Sequence, residues 1–187
     1  MEYTGPGENW WAKKRSSAFD LRFGILTVSD RSARGERPDQ SGPALTEAIL
    51  ALGWAVVRQH IIPDDMASIQ AILAEWSDSG ELDVILTTGG TGFSPRDVTP
   101  EATLAVVQRL TPGISEAMRA ASLNSTPHAM LSRAAAGIRG QTLIVNLPGN
   151  PKGAVENFMV IHTALPHAVQ LLHRDPAADQ SHQTHTS

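Results

Sequence analysis

The stretch "LDVILTTGGTGFSPRDVTPEATLAVV" (82–107) decides the fold. Val84, Ile85 and Leu86 form an apolar run that passes through Thr87 and Thr88 into three glycines at 89, 90 and 92. From Pro100 onward the pattern is helical, with apolar Leu104 and Val107. The run before the glycines is continuous rather than alternating, as in a strand covered on both faces. A buried strand leaving through a permissive turn into a helix is the repeating unit of an α/β sheet.

The rest of the chain repeats that unit. Upstream, "LRFGILTVSD" (21–30) is a second near-continuous apolar strand, followed by the charged loop "RSARGERPDQSG" (31–42). Residues 43–52 carry Leu45, Ile49 and Leu52 at helical spacing, and Gly53 supplies a C-terminal stop. "WAVVRQHII" (54–62) reads as a strand. Pro63-Asp64-Asp65 opens a helix with Met66, Ile69, Ile72, Leu73 and Trp76 on one face. Downstream, "MLSRAAAGI" (130–138) and "TLIVNLPG" (142–149) form a pair of strands, and 152–173 closes as one long amphipathic helix. Strand–helix alternation with short connections implies a mostly parallel sheet with helices on both faces. The expected fold class is therefore a single-domain α/β three-layer sandwich over residues 20–173, with a short antiparallel strand pair at one side. Residues 1–19 are expected to be a flexible arm and 174–187 a disordered polar tail, whose His182 and His185, with His173, read as solvated.

The totals narrow the function. The chain has 187 residues, 41% of them apolar, enough for one buried core. A formal charge of −4 argues against nucleic acid, which calls for a basic face. The absence of cysteine removes disulfides, thiolate metal sites and thiol nucleophiles, and fits a reducing compartment. The N-terminus has no apolar core of signal length, and no run approaches the roughly 20 apolar residues of a membrane helix. A soluble, cytoplasmic protein is expected.

In an open α/β sheet, ligands bind beyond the carboxyl ends of the strands. Four loops should lie there: 29–42, 63–65, 87–99 and 146–153. Gly89, Gly90 and Gly92 allow backbone N–H groups to converge, which makes either a tight turn or an anion cradle. The spacing matches neither a Walker loop nor a dinucleotide fingerprint. Asp97 sits a few residues on, beside Arg96. A carboxylate beside a phosphate cradle is repulsive unless a divalent cation bridges them, and Mg²⁺ commonly uses one or two carboxylates plus phosphate oxygens. Asp97 could equally cap the next helix or pair with an arginine. Asp64 and Asp65 could serve the helix N-terminus through its dipole. Asn150 and Pro151 fit ordinary helix capping. Ser29, Asp30, Arg31, Arg34 and Ser41 could be a solvated loop. All four sharing one sheet edge favours a site.

"TTGGTGFSPRDVTPEAT" (87–103), "VSDRSARGERPDQSGPAL" (28–45), "IIPDD" (61–65) and "MLSRAAAGIRGQTLIVNLPGNPKGAVENF" (130–158) together resemble the molybdenum cofactor biosynthesis family of MogA/MoaB type, which includes the G domains of gephyrin. The resemblance covers residues 21–172. It implies a homotrimer that adenylylates molybdopterin: the terminal phosphate of molybdopterin attacks the α-phosphate of ATP, assisted by Mg²⁺, releasing pyrophosphate. By position it implies Asp64 and Asp97 as the catalytic, Mg²⁺-holding aspartates. Gly89, Gly90, Thr91, Gly92, Asn146, Pro148, Gly149 and Asn150 fall to the nucleotide, and Ser29, Asp30 and Ser122 to molybdopterin. Transient contact with the molybdate-inserting protein is implied, and no membrane or nucleic-acid partner. Alternatives are a molybdopterin binder without efficient catalysis and a nucleotide pyrophosphatase of the competence-damage type. The arm and tail lie outside the resemblance.

Overall fold

The apolar runs at 22–28, 84–88 and 142–147 become strands covered on both faces. In the computed structural model, which describes residues 20–173, the chain runs β1 (Arg22–Val28), α1 (Asp30–Ala33), α2 (Ser41–Ala51), β2 (Ala55–Ile62), α3 (Met66–Asp78) and β3 (Val84–Thr88). It continues through α4 (Thr99–Val106), β4 (Arg109–Leu110), α5 (Pro112–Leu123), β5 (Ala136–Arg139), β6 (Thr142–Leu147), α6 (Pro151–Ile161) and α7 (Leu165–Leu172). The expected arm and tail lie outside the described residues.

The strands form one six-stranded sheet in the order β2-β1-β3-β6-β5-β4. β2, β1, β3 and β6 are mutually parallel, while β5 runs antiparallel to β6 and β4 antiparallel to β5. This is the expected α/β sandwich with a mostly parallel sheet and an antiparallel margin. Phe23, Ile25, Val84, Leu86, Leu143 and Val145 face a layer that includes Leu45, Ile49, Phe158, Leu165 and Val169 of α2, α6 and α7. The intervening Leu26, Val28, Ile85 and Ile144 face Ile69, Leu73 and Trp76 of α3 and Ala102 of α4. Each fully buried Leu or Phe contributes about 1.5–3 kcal/mol, so β1, β3 and β6 gain that term on both faces. Phe23, Trp54 and Phe158 add an aromatic cluster, with Phe23 stacked on Trp54 at 5.5 Å and Phe158 edge-on to Phe23 at 6.0 Å.

Three expectations need correction. β2 is an edge strand with mostly exposed residues, including Val57 and Ile61, so its apolar character does not mark cover on both faces. The segment 130–138 is not one strand: residues Pro127–Leu131 make a 3₁₀ turn, and β5 starts only at Ala136. The closing helix is broken. α6 stops at Ile161, a 3₁₀ turn spans His162–Ala164, and α7 restarts with Pro166 in its first turn. Proline has no N–H to give to the preceding turn, so one uninterrupted ladder cannot form. β4 and α5 had not been anticipated from the sequence.

The topology locates the functional edge. From β1 the chain passes outward to β2, and from β2 it crosses by α3 to β3 on the opposite side of β1. The strand order reverses at the β1/β3 boundary, and a crevice opens beyond the carboxyl ends of those two strands.

Candidate functional site

Gly89 ends β3 in that crevice with φ +104°, and Gly90 follows at +64°. A Cβ on Gly89 would stand 2.2 Å from the Val28 carbonyl oxygen, and one on Gly90 would stand 2.3 Å from Thr99 Oγ1 and 3.2 Å from Asp64 Oδ1. The glycines therefore let the β3 loop press against the end of β1 and beneath the carboxylates. Around them lies an open cleft of about 560 Å³, lined by Ser29, Asp30, Asp64, Gly89, Gly90, Asp97, Gly149 and Asn150, with Arg31, Arg34, Arg37 and Arg96.

Four carboxylates line this cleft: Asp39 is taken up by Thr27, Ser41 and the Gly42 N–H, and Asp30, Asp64 and Asp97 enter from three separate loops. Asp30 and Asp64 exchange hydrogen bonds: the Asp30 N–H donates to Asp64 Oδ2 at 2.8 Å, and the Asp64 N–H donates to Asp30 Oδ1 at 3.1 Å. The ends of β1 and β2 are thereby locked together. Capping of α3 falls to the neighbour, for Asp65 accepts from both the N–H and the hydroxyl of Ser68. That frees Asp64 for the cleft. Asp97 caps no helix; its Oδ2 accepts the Ser94 N–H at 2.9 Å and closes the loop on itself. The arginine beside Asp97 reaches elsewhere: Arg96 grips Asp30 through Nε at 3.1 Å and Nη2 at 2.9 and 2.8 Å.

The charge pattern follows from these contacts. Burial raises the Asp64 carboxyl above its ordinary value, and the nearby charges of Asp30 and Asp97 push the same way. The hydrogen bonds from Arg96 hold Asp30 below its ordinary value. Among the described residues, Asp64 Oδ1 and Asp97 Oδ1 take no hydrogen bond. Two carboxylates, each with a free oxygen, facing a glycine turn suit a Mg²⁺ ion that completes its shell with phosphate and water. No group of three or more His, Asp or Glu among the described residues would hold a metal unaided. The donor set therefore fits a cation brought with phosphates.

Other side chains hold the loops. Thr88 donates to the Pro148 carbonyl at 2.7 Å, stitching the β3 and β6 exits together. Arg133 spans the far side: Nε donates to the Gly92 carbonyl at 2.7 Å, Nη2 to the Asp97 carbonyl, and Nη1 pairs with Glu101. Its own N–H donates to Thr91 at 3.0 Å. Asn146 is fully buried, with Nδ2 on Thr87 and Thr103 at 2.9 and 2.8 Å, and Oδ1 accepting from Ala135 at 3.2 Å. Both amide hydrogens of Asn146 are committed to the core, which leaves it no donor for a ligand.

A second cavity, about 320 Å³, adjoins the first across the same loops. Ser115, Met118, Arg119 and Ser122 line it from α5, at the i, i+3, i+4 and i+7 spacing of one helix face. Thr91, Gly92, Pro148 and Asn157 contribute from other elements. Ser122 donates to Asn157 Oδ1 at 3.3 Å, and Arg119 donates to the carbonyls of Ser132 and Ala134 with no carboxylate partner.

The structure thus brings together Ser29, Asp30, Asp64, Gly89, Gly90, Asp97 and Gly149 in one cleft, and Thr91, Gly92, Asn146, Pro148 and Ser122 in the other. Asn150 borders both while capping α6 through Oδ1. Ser29 and Asp30, grouped with Ser122 in the sequence, lie apart from it and beside the aspartates. Lys152 borders neither cavity and pairs with Glu156 at the surface. Arg96, Arg119 and Arg133 had been assigned no role. Arg119 carried a readable signal, its spacing from Ser122; Arg133 carried none, because its partners are backbone atoms distant in sequence.

Comparison with known proteins agrees with this geometry. Residues 24–167 match the family described as "probable molybdopterin binding domain". The chain is 43% identical over 173 residues to gephyrin of Dictyostelium discoideum, covering 86% of this chain but 24% of that protein. It is 41% identical over 166 residues to molybdopterin adenylyltransferase of Escherichia coli K12, covering 81% of this chain and 85% of the relative. The solved structure of the molybdopterin biosynthesis enzyme MoaB from Thermus thermophilus matches at 47% identity and a TM-score of 0.78, over 83% of this chain and 98% of that one. The chain spans about a quarter of the gephyrin-type relatives it matches.

Proposed function

The chain belongs to the molybdopterin-binding family of molybdenum cofactor biosynthesis, and on that premise we propose that it is a molybdopterin adenylyltransferase. The reaction joins the terminal phosphate of molybdopterin to the α-phosphate of ATP; a phosphate oxygen forms the new P–O bond and pyrophosphate leaves. The observation that carries this reading is the meeting of Asp30, Asp64 and Asp97 with the Gly89–Gly90 turn in one cleft, open to a second cavity.

The nucleotide phosphates take the first cleft, along the backbone of Gly89, Gly90 and Gly149, and the pterin body takes the second, against Ser122 and Arg119. Thr91, Gly92, Pro148 and Asn150 form the seam where the two phosphates meet. Asp64 and Asp97 would hold Mg²⁺, which would supply neutralisation of the phosphate charge. The residues themselves orient and align: phosphoryl and nucleotidyl transfer depend on in-line positioning and preset charge, and no protein nucleophile is needed. Ser29 and Asp30 belong with the nucleotide cleft in this reading. Asn146 borders the second cavity and steadies it through Thr87 and Thr103. A homotrimer acting in the cytoplasm and meeting the molybdate-inserting protein completes the proposal; light scattering of the purified chain reports the oligomer.

Incubation with molybdopterin, Mg²⁺ and α-labelled ATP tests the activity. Label in the pterin product supports a transferase. Label only in free AMP indicates a hydrolase, and retained pterin without label indicates a carrier. Asp97→Asn is expected to fold and bind molybdopterin but form no labelled product; full turnover in that variant removes Asp97 from the mechanism.

A further inference from the structure

Arg96 stands out among the cleft residues because its contact is odd for its position. It projects from the β3–α4 loop across the mouth of the cleft to Asp30 on the β1 side, tying together residues 66 apart in sequence. The guanidinium is 63% exposed and Asp30 25% exposed. Exposed ion pairs of this kind are weak, so exchanging partners costs little. Among the described residues Nη1 of Arg96 takes no hydrogen bond, which leaves this cleft-lining side chain with donors to spare. Asp30 is anchored independently of Arg96, through its reciprocal bonds with Asp64. Arg96 can therefore leave without loosening the loop that it touches.

Electrostatics governs when it leaves. Asp30, Asp64 and Asp97 share one small region, in which Arg96 bonds directly to Asp30 while Arg34 acts on it from further off. Removing Arg96 weakens that compensation, which is unfavourable unless another cation arrives. Planar guanidinium also matches phosphate oxygens two at a time better than it matches a solvated surface.

We infer that Arg96 is a phosphate-binding residue held in reserve by Asp30: it exchanges from the Asp30 carboxylate to a phosphate of the nucleotide, and neutralising Asp30 releases it. The inference rests on the nucleotide cleft proposed above and adds a residue and a coupling to it. Cation binding near Asp30 and anion binding at Arg96 then assist each other, since each occupies the group that the other displaces.

Metal-free binding of inorganic pyrophosphate, measured by calorimetry in chelator, tests the exchange. Asp30→Asn stands in for the neutralising cation while keeping an oxygen to accept the Asp64 N–H. It is expected to tighten pyrophosphate about fivefold over wild type. Arg96→Gln is expected to weaken binding about tenfold. The double variant is decisive: it is expected to bind like Arg96→Gln alone, because the gain in Asp30→Asn passes through the freed guanidinium. A fivefold gain that persists in the Arg96→Gln background means that removing charge is sufficient, and overturns the exchange. If neither wild type nor any variant binds pyrophosphate or ATP, the nucleotide cleft itself is wrong and the inference falls with it. Arg96→Lys is a second probe, keeping the charge without the planar fork. It is expected to lie between wild type and Arg96→Gln, and affinity equal to Arg96→Gln would deny the cation any part.

Discussion

Replacing Gly89 with alanine tests the geometry on which the cleft depends. At φ +104° a residue with a side chain is strained by about 1–3 kcal/mol. The added Cβ would also stand 2.2 Å from the Val28 carbonyl oxygen, which is backbone at the end of β1 and cannot rotate away. Val28 lies opposite Ile62 in the β1–β2 ladder, so relieving the clash strains that pairing too. Forcing extra volume into such a contact costs a further ~1–3 kcal/mol. The total is about 4 kcal/mol, less roughly 0.5 kcal/mol gained because alanine restricts the unfolded chain. Gly80→Ala is the control. Gly80 has φ +72° but nothing within 4 Å of its Cβ position, so it meets only the backbone term, about 1 kcal/mol. For a domain of this size each kcal/mol shifts Tm by about 2–4 °C. Gly89→Ala is therefore expected to lower Tm by about 10 °C and Gly80→Ala by about 3 °C, in parallel thermal and urea unfolding. Equal losses in the two variants would mean that the β3 loop does not press on β1, and the cleft would have to be redrawn.

Further predictions concern the side chains around the cleft. Asp64 has its carboxyl raised by burial, so the fold favours the protonated form, and wild type gains stability relative to Asp64→Asn as pH falls from neutrality through that raised value into the ordinary carboxylate range. Asp64→Asn should thus be the more stable protein at neutral pH with an advantage that shrinks on acidification; a difference independent of pH refutes the burial. Asn146→Ala strands Thr87, Thr103 and the Ala135 N–H inside the core and should cost about 3–5 kcal/mol in urea unfolding, with ligand affinity retained below its Tm. Loss of affinity without loss of stability would make Asn146 a ligand-binding residue. Arg133→Met removes the ties to Gly92, Asp97 and Glu101; at about one-third exposure the expected cost is ~1–2 kcal/mol. Amide exchange across 92–98 should quicken at least tenfold while β1 and β3 stay protected, and unchanged protection there would deny Arg133 its positioning role.

The pairing of Asp64 with Asp65 illustrates how far residue types alone can reach. Adjacent aspartates before a helix read equally well as caps or as site residues, and the chain cannot say which is which. In the fold the division is clear, since Asp65 takes Ser68 while Asp64 faces Asp30 across the crevice. Asp97 and Arg96 show that neighbours in the chain need not be partners: Arg96 bonds to a residue 66 positions away and Asp97 turns back on Ser94. Asn146, assigned by position to a ligand loop, lines the second cavity and also ties Thr87 of β3 to Thr103 of α4.

Residue order alone dictates the layers, the parallel sheet, and which four loops share its carboxyl edge. Those features follow from local periodicity and from the rule that continuous apolar strands require cover on both faces, so they are written in neighbouring residues. The folded arrangement is what makes β2 an exposed edge, splits 151–172 into two helices, and divides the loops between two adjoining cavities. It alone also revealed the Arg96–Asp30 bridge and the Arg133 clamp. Those depend on contacts between residues remote in the chain, whose partners are often backbone atoms common to every residue type, and no spacing along the sequence encodes them.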